Sequence, residues 1–398
     1  MQKTIYISKQ RNIFPSFLVL MLFSHMIYYW NVLWGNTKGT KMLVYIALFF
    51  LMLGNIGGTF ISPASKGMKV HEGGLKEVKK FGWICLLIGI SSHLYFYGRN
   101  LSHINTYADR YLVTRGNGIF TGMFCGMFTG GAILEYCYSK GFGSKRERLL
   151  SRLCLFFYLI FYLFILSKRR QIIILFILLL VIYCNKISIK NKTLIYLLGC
   201  LVYVFLVVFG QCRAYMVKNG VNGIVEYALP RINIEWFSPK SLEGKYTSQI
   251  LEDIYQYVQI KGHTLDAFCG AIMTIIPRKL LGGNKLENFT SWYTLTFHYV
   301  DYFKGAGYAG STIAELYLLG GIVAVCIAYF VLGYICNHLN KLLCADGDKK
   351  TMKILVYGYF VYCALFFPRL DIGSFIVDAC FILIPFRIAI YLSTVRGQ

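Results

Sequence analysis

Long apolar runs broken by short polar stretches recur from one end of this chain to the other. Ten of them stand at about residues 13–34, 42–62, 81–98, 118–138, 153–167, 171–185, 193–210, 309–336, 353–367 and 373–392. The longer runs reach the ~20 residues that carry a helix across about 30 Å of hydrocarbon. The pattern predicts an all-α, polytopic integral membrane protein with about ten transmembrane helices, a single domain over residues 1–398. One polar break differs from the rest. Residues 211–306, between the seventh and eighth runs, are too many for a structureless connection and are expected to carry elements of their own. Within them SQILEDIYQYVQI (248–260) places Ile250, Leu251, Ile254, Tyr257 and Val258 at helical spacing. That spacing predicts an amphipathic helix lying on the membrane face or capping a cavity. Farther on, Pro277 fixes a turn that presents Arg278 and Lys279.

The fourth run spaces Gly118, Gly122, Gly126 and Gly130 four residues apart, which leaves one helix face nearly flat for close approach by a neighbour. This is a packing signal without chemistry.

Composition agrees with the pattern, because 57% hydrophobic, 17% aromatic and only 15% charged residues is too apolar for a soluble protein of 398 residues. The first run follows Lys3, Lys9 and Arg11 but has no small-residue cleavage site, so a retained helix is expected. A net charge of +23 raises the question of nucleic acid, yet the basic residues are scattered through short inter-run loops. Lys66, Lys69, Lys76, Lys79 and Lys80 stand in one such loop, Lys140, Lys145, Arg146, Arg148 and Arg152 in another, and Lys341, Lys349, Lys350 and Lys353 in a third. Positive-inside topology accounts for them with both termini cytoplasmic and residues 211–306 outside. The thirteen cysteines show no metal spacing and read as small packing residues; Cys212 and Cys269, both in the outer segment, are the one pair placed to bridge.

No soluble catalytic motif is present. What stands out is a set of cations at the outer ends of helices: Arg169 and Arg170 in the SKRRQ turn, Arg213 at a helix exit, Arg278 and Arg369. Such residues either snorkel to lipid headgroups or grip an anion, and guanidinium forks suit a diphosphate. A base for a sugar hydroxyl on the same side would be Glu315, His298, Asp301 or Asp371. Thr312 and Glu315 also have the T-x-x-E spacing of a capping box, and His298 lies among aromatic residues that suit a packed histidine.

The segments GYAGSTIAELYLLGG, IIPRKLLGGNK, SKRRQ, Arg213 and FFPRLDIGSFIVDACFILIPF together resemble the Wzy-type O-antigen, or oligosaccharide repeat-unit, polymerases over about residues 150–390. The related ligases carry a His-Asn pair where this chain has Ala309, Gly310 and Ser311. The resemblance implies a bacterial cytoplasmic-membrane glycosyltransferase that joins undecaprenyl-diphosphate-linked oligosaccharides, as donor and acceptor, with inversion, and that makes O-antigen, capsule or exopolysaccharide. It implies no cofactor, no metal and no nucleic acid. Membrane lipid surrounds such an enzyme, and a chain-length regulator and a flippase are its expected protein partners. Arg169, Arg170, Arg213, Arg278 and Arg369 would hold the diphosphate, and Glu315 or His298 would serve the acceptor. The rival classes are a transporter or flippase of lipid-linked oligosaccharides, which would carry mid-membrane charges and internal repeats, and an O-antigen ligase.

Overall fold

The computed structural model describes residues 16–35, 37–61, 72–100, 109, 118–162, 170–183, 200–201, 204, 207–208, 210–212, 222–227, 230–238, 244–276, 278–281, 285–304, 307–344 and 352–395, and among these the regular structure is entirely helical. In chain order the helices that matter are α1 (Phe17–Tyr28), α2 (Trp30–Leu33), α3 (Lys38–Ile61), α4 (Glu72–Asn100), α5 (Gly118–Met123) and α6 (Cys125–Ser139). Then come α7 (Lys145–Ile160), α8 (Arg170–Tyr183), α9 (Gly244–Lys261), α10 (Asp266–Ile272), α11 (Phe289–Phe297) and α12 (Tyr299–Phe303). The last four are α13 (Thr312–Cys344), α14 (Lys353–Phe366), α15 (Ile372–Asp378) and α16 (Ile384–Val395).

Four stretches are long and apolar enough to cross a membrane, Lys38–Phe60, Gly74–Asn100, Thr312–Asn340 and Ile372–Ser393, with Phe17–Tyr28 and Arg170–Tyr183 as shorter apolar helices. The fourth of the long stretches runs through α15, a π-helical turn at Ala379–Leu383, and α16. Exposed Phe23, Met42, Phe60, Val323 and Tyr391 belong to these helices, and on a membrane protein such side chains meet lipid. Lys76, Lys79 and Lys80, read from the sequence as loop residues, instead occupy the first turns of α4, which begins at Glu72.

Small residues bring the long helices together. A Cβ on Gly126 would come 2.7 Å from the Cys85 carbonyl oxygen, and Gly130 is equally tight against Gly82 and Leu86, so the second half of the flat face read in the fourth run docks on α4, whereas Gly122 faces the Phe381 ring. A second seam of this kind joins α3 to α13. There Gly54 faces the Phe330 carbonyl and Gly333 the Leu51 carbonyl. Asn337 donates to Asn55 O (3.0 Å) and Asn55 to Gly333 O (3.4 Å), amide bonds of the sort that join helices in lipid.

The helix expected at 248–260 is α9, with Ile250, Leu251, Ile254 and Val258 buried and Tyr257 partly so. It lies across the ends of α1, α2, α3 and α13. Ser248 donates to the last-turn carbonyl of Tyr28 (3.2 Å), and Thr37 donates to Glu252 (2.8 Å), so α9 closes one end of the bundle. The opposite end is tied by Lys79–Glu147 (2.8 Å) and by the Arg152 fork on buried Glu135 (2.7 and 2.9 Å). Cys212 and Cys269 are both free thiols.

Candidate functional site

Helix α13 is not continuous. Gly321 takes φ 64° and ψ −152°, a conformation essentially reserved for glycine, and the helix breaks at Gly320–Gly321 into a short first piece and a long second one. The break strips the last carbonyls of the first piece of their i+4 partners. His263 Nδ1 (3.1 Å) donates to Tyr317 O and Thr264 N (3.1 Å) to Leu318 O, so the turn after α9 caps the half-helix.

The start of that half-helix is pinned against residues 367–372. Gly310 permits the approach, since a Cβ there would sit 2.7 Å from Arg369 O. The Thr312 hydroxyl lies between Phe367 O (2.5 Å) and Leu370 O (2.6 Å) and donates to them. Tyr29 joins in, sharing a hydrogen bond with Ser311 (3.0 Å) and donating to Pro368 O (3.3 Å). Glu315, only 2% exposed, accepts the Ile372 amide on Oε2 (2.8 Å), while its Oε1 has no hydrogen-bond partner among the described residues. Thr312 and Glu315 therefore do not form a capping box on their own helix. They reach across and satisfy the 3-10 turn and the first amide of α15. Asp371 caps α15 itself, taking the Ser374 amide on Oδ1 (2.5 Å) and the Thr290 hydroxyl on Oδ2.

At the far end of α15, about 10 Å away at 1.5 Å per residue, Asp378 pairs with Arg170, the first residue of α8. Tyr359 donates to the same carboxylate oxygen (2.9 Å), and the guanidinium stands over the Tyr362 ring at 6.0 Å. Arg170 Nε keeps no partner among the described residues. Arg369 stands two residues before Asp371, partly exposed. The segment leading to Arg278 packs on α15 through Thr274, whose hydroxyl a Cβ on Gly373 would meet at 3.1 Å. Arg278 opens the 3-10 turn Arg278–Leu281. Its side chain, together with Arg169 and Arg213, falls outside the described residues. Of the expected set, Glu315, Arg170, Asp371 and Arg369 are thus gathered around one two-turn helix.

His298 belongs to a second cluster, linked to the first by α11, because Thr290 at one end of α11 holds Asp371 and His298 follows its other end. The imidazole stacks on Tyr308 (centroids 4.1 Å apart, planes at 14°) and its Nε2 lies 3.4 Å from the Tyr293 hydroxyl. Tyr293 donates to Asp253 (2.5 Å) and Tyr308 to Asp301 (3.0 Å). Burial, and then the adjoining carboxylate in each case, raises both phenols above their ordinary pKa, so both remain O–H donors at neutral pH.

Asp253, Asp378, Tyr293, Tyr308 and His263 were not singled out by the sequence. Asp253 sits inside an amphipathic repeat, and Asp378 is separated from Arg170 by 208 residues, so neither partnership leaves a local signal.

No curated protein and no solved structure matches the chain. A family model described as O-antigen polysaccharide polymerase Wzy matches residues 12–396. That match takes in α1 through α16 and both clusters, and with it this multi-pass membrane protein belongs to the O-antigen polysaccharide polymerase Wzy family.

Proposed function

We propose that the protein is an inverting glycosyltransferase that polymerises undecaprenyl-diphosphate-linked oligosaccharides at the outer face of the bacterial cytoplasmic membrane. The observation that carries this is family membership over nearly the whole chain. The acceptor hydroxyl attacks the anomeric carbon of the donor, the carbon–oxygen bond to the diphosphate breaks, and undecaprenyl diphosphate leaves with that electron pair. Inversion follows from a single displacement. Arg170, with Arg169, Arg213, Arg278 and Arg369, stabilises the leaving diphosphate. Asp378 holds one edge of the Arg170 guanidinium and so orients its charge toward the leaving group.

His298 takes the acceptor proton in this scheme, since it is partly exposed and its Nε2 is positioned beside the Tyr293–Asp253 pair. The unpartnered Oε1 of Glu315 favours a second reading, in which that carboxylate is the base. Both termini lie in the cytoplasm, and α9 to α12 face outward with the site. A chain-length regulator and a flippase work beside the enzyme.

Substitutions separate the two bases. His298→Gln is expected to lower chain growth by at least about a hundredfold with normal insertion, and Glu315→Gln to leave it within a few-fold. The reverse ordering moves the base to Glu315, and full rates in both variants remove both. Inversion is read from the anomeric configuration of the new linkage, which must be opposite to that of the donor.

A further inference from the structure

Around His298, three helices bring rings and carboxylates together in a way that packing does not require. Tyr308 lies flat on His298 and edge-on to Tyr246 (6.2 Å) and Tyr293 (5.9 Å). Tyr246 is 47% exposed, so a ring face remains open. Asp253 stands mid-α9 and caps no helix; Asp301 lies in the first turn of α12. Each carboxylate uses one oxygen for a tyrosine hydroxyl, and its other oxygen accepts nothing among the described residues. Neither forms an ion pair among the described residues, although the chain holds 41 lysines and arginines against 18 acidic residues. Lys304, the closest basic residue in the chain, ends α12 exposed and pairs with neither.

Partly exposed carboxylates held by phenols, next to the exposed Tyr246 ring and the partly exposed Tyr308 ring, form a surface that matches a pyranose. The carboxylate oxygens accept from vicinal hydroxyls, and the rings cover the apolar C–H face of the sugar. The two negative charges disfavour a third on the ligand. We propose that Tyr246, Asp253, Asp301 and Tyr308, with buried Tyr293 holding Asp253 from behind, form a saccharide subsite that presents an acceptor hydroxyl to His298 and that selects neutral or amino sugars over uronic acids. The subsite rests on the glycosyl-transfer reading above for its role, but its binding can be measured without turnover.

The test is saturation-transfer NMR on the full-length protein in nanodiscs, with triacetylchitotriose, maltotriose and trigalacturonic acid as lipid-free probes. At least one neutral trisaccharide should bind with a dissociation constant on the order of 1 mM. Tyr308→Ala and Asp301→Asn should each weaken it about tenfold or more, and Tyr308→Phe, which keeps the ring, should weaken it less. Trigalacturonic acid should give no transfer at the same concentration. The proposal is overturned if neither neutral probe binds, if the variants bind as wild type does, or if the acidic trimer binds equally well. Chain growth on a lipid-linked repeat, run on the same preparation, keeps the two claims apart. A ladder without saccharide binding removes the subsite alone, and binding without a ladder removes the polymerase reading alone.

Discussion

Glu315 and Arg170 each hold a partner from another helix, and each can be tested by removing its half of the pair. Glu315→Gln keeps an acceptor for the Ile372 amide. Glu315→Ala leaves that amide unpaired and should cost about 1 to 3 kcal/mol in thermal unfolding in detergent. Arg170→Ala strands the Asp378 carboxylate, which is 3% exposed. The expected loss is about 3 kcal/mol or more, and a second change, Asp378→Asn, should recover part of it by removing the orphaned charge. At the opposite end, Glu147 is held below its ordinary pKa by the Lys79 ammonium and by the Ser144 amide of a capping box. A lowered carboxylate stabilises the fold above its unfolded pKa and loses that contribution as pH falls through the lowered value. Glu147→Gln should therefore melt below wild type near neutral pH, and the two should converge in strong acid.

Among the elements, α13 concentrates the unusual physics. Its first piece is a separate half-helix, pinned at its start by residues 367–372 and capped at its end by His263 and Thr264. Gly321→Ala forces a side chain into a conformation only glycine tolerates and should cost about 1 to 3 kcal/mol, whereas Gly320, at φ −160°, should accept alanine more readily. The sequence read GYAGSTIAELYLLGGIV as the entry to one unbroken helix, because two glycines in an apolar run look the same whether or not a distant turn supplies replacement donors. The amphipathic period of α9 and the close approach at Gly126 and Gly130 of α6 were legible, since both belong to local repeats. The α3–α13 seam was not, since Gly54, Asn55, Gly333 and Asn337 gain meaning only when two helices nearly 280 residues apart meet. Gly54→Leu would drive a side chain into the Phe330 carbonyl, and a lowered yield of folded protein in membranes is the expected result.

For the whole molecule, hydropathy and charge placement gave the class, and short motifs spread over α8 to α16 gave the family. The partners of the site residues came only from the fold, which pairs Arg170 with Asp378, Glu315 with Ile372 and Tyr293 with Asp253. Orientation is testable by cysteine labelling: an introduced cysteine in α9 should react from outside intact cells, and one beside Lys145 only after permeabilisation. The central claim is glycosyl transfer between two lipid-linked chains, and its most direct measurement is reconstitution of the purified protein with an undecaprenyl-diphosphate-linked repeat. A ladder of lengthened chains, with one undecaprenyl diphosphate released for each new linkage, is the predicted result. Movement of the lipid-linked repeat across the bilayer, with no ladder and no released diphosphate, would contradict it.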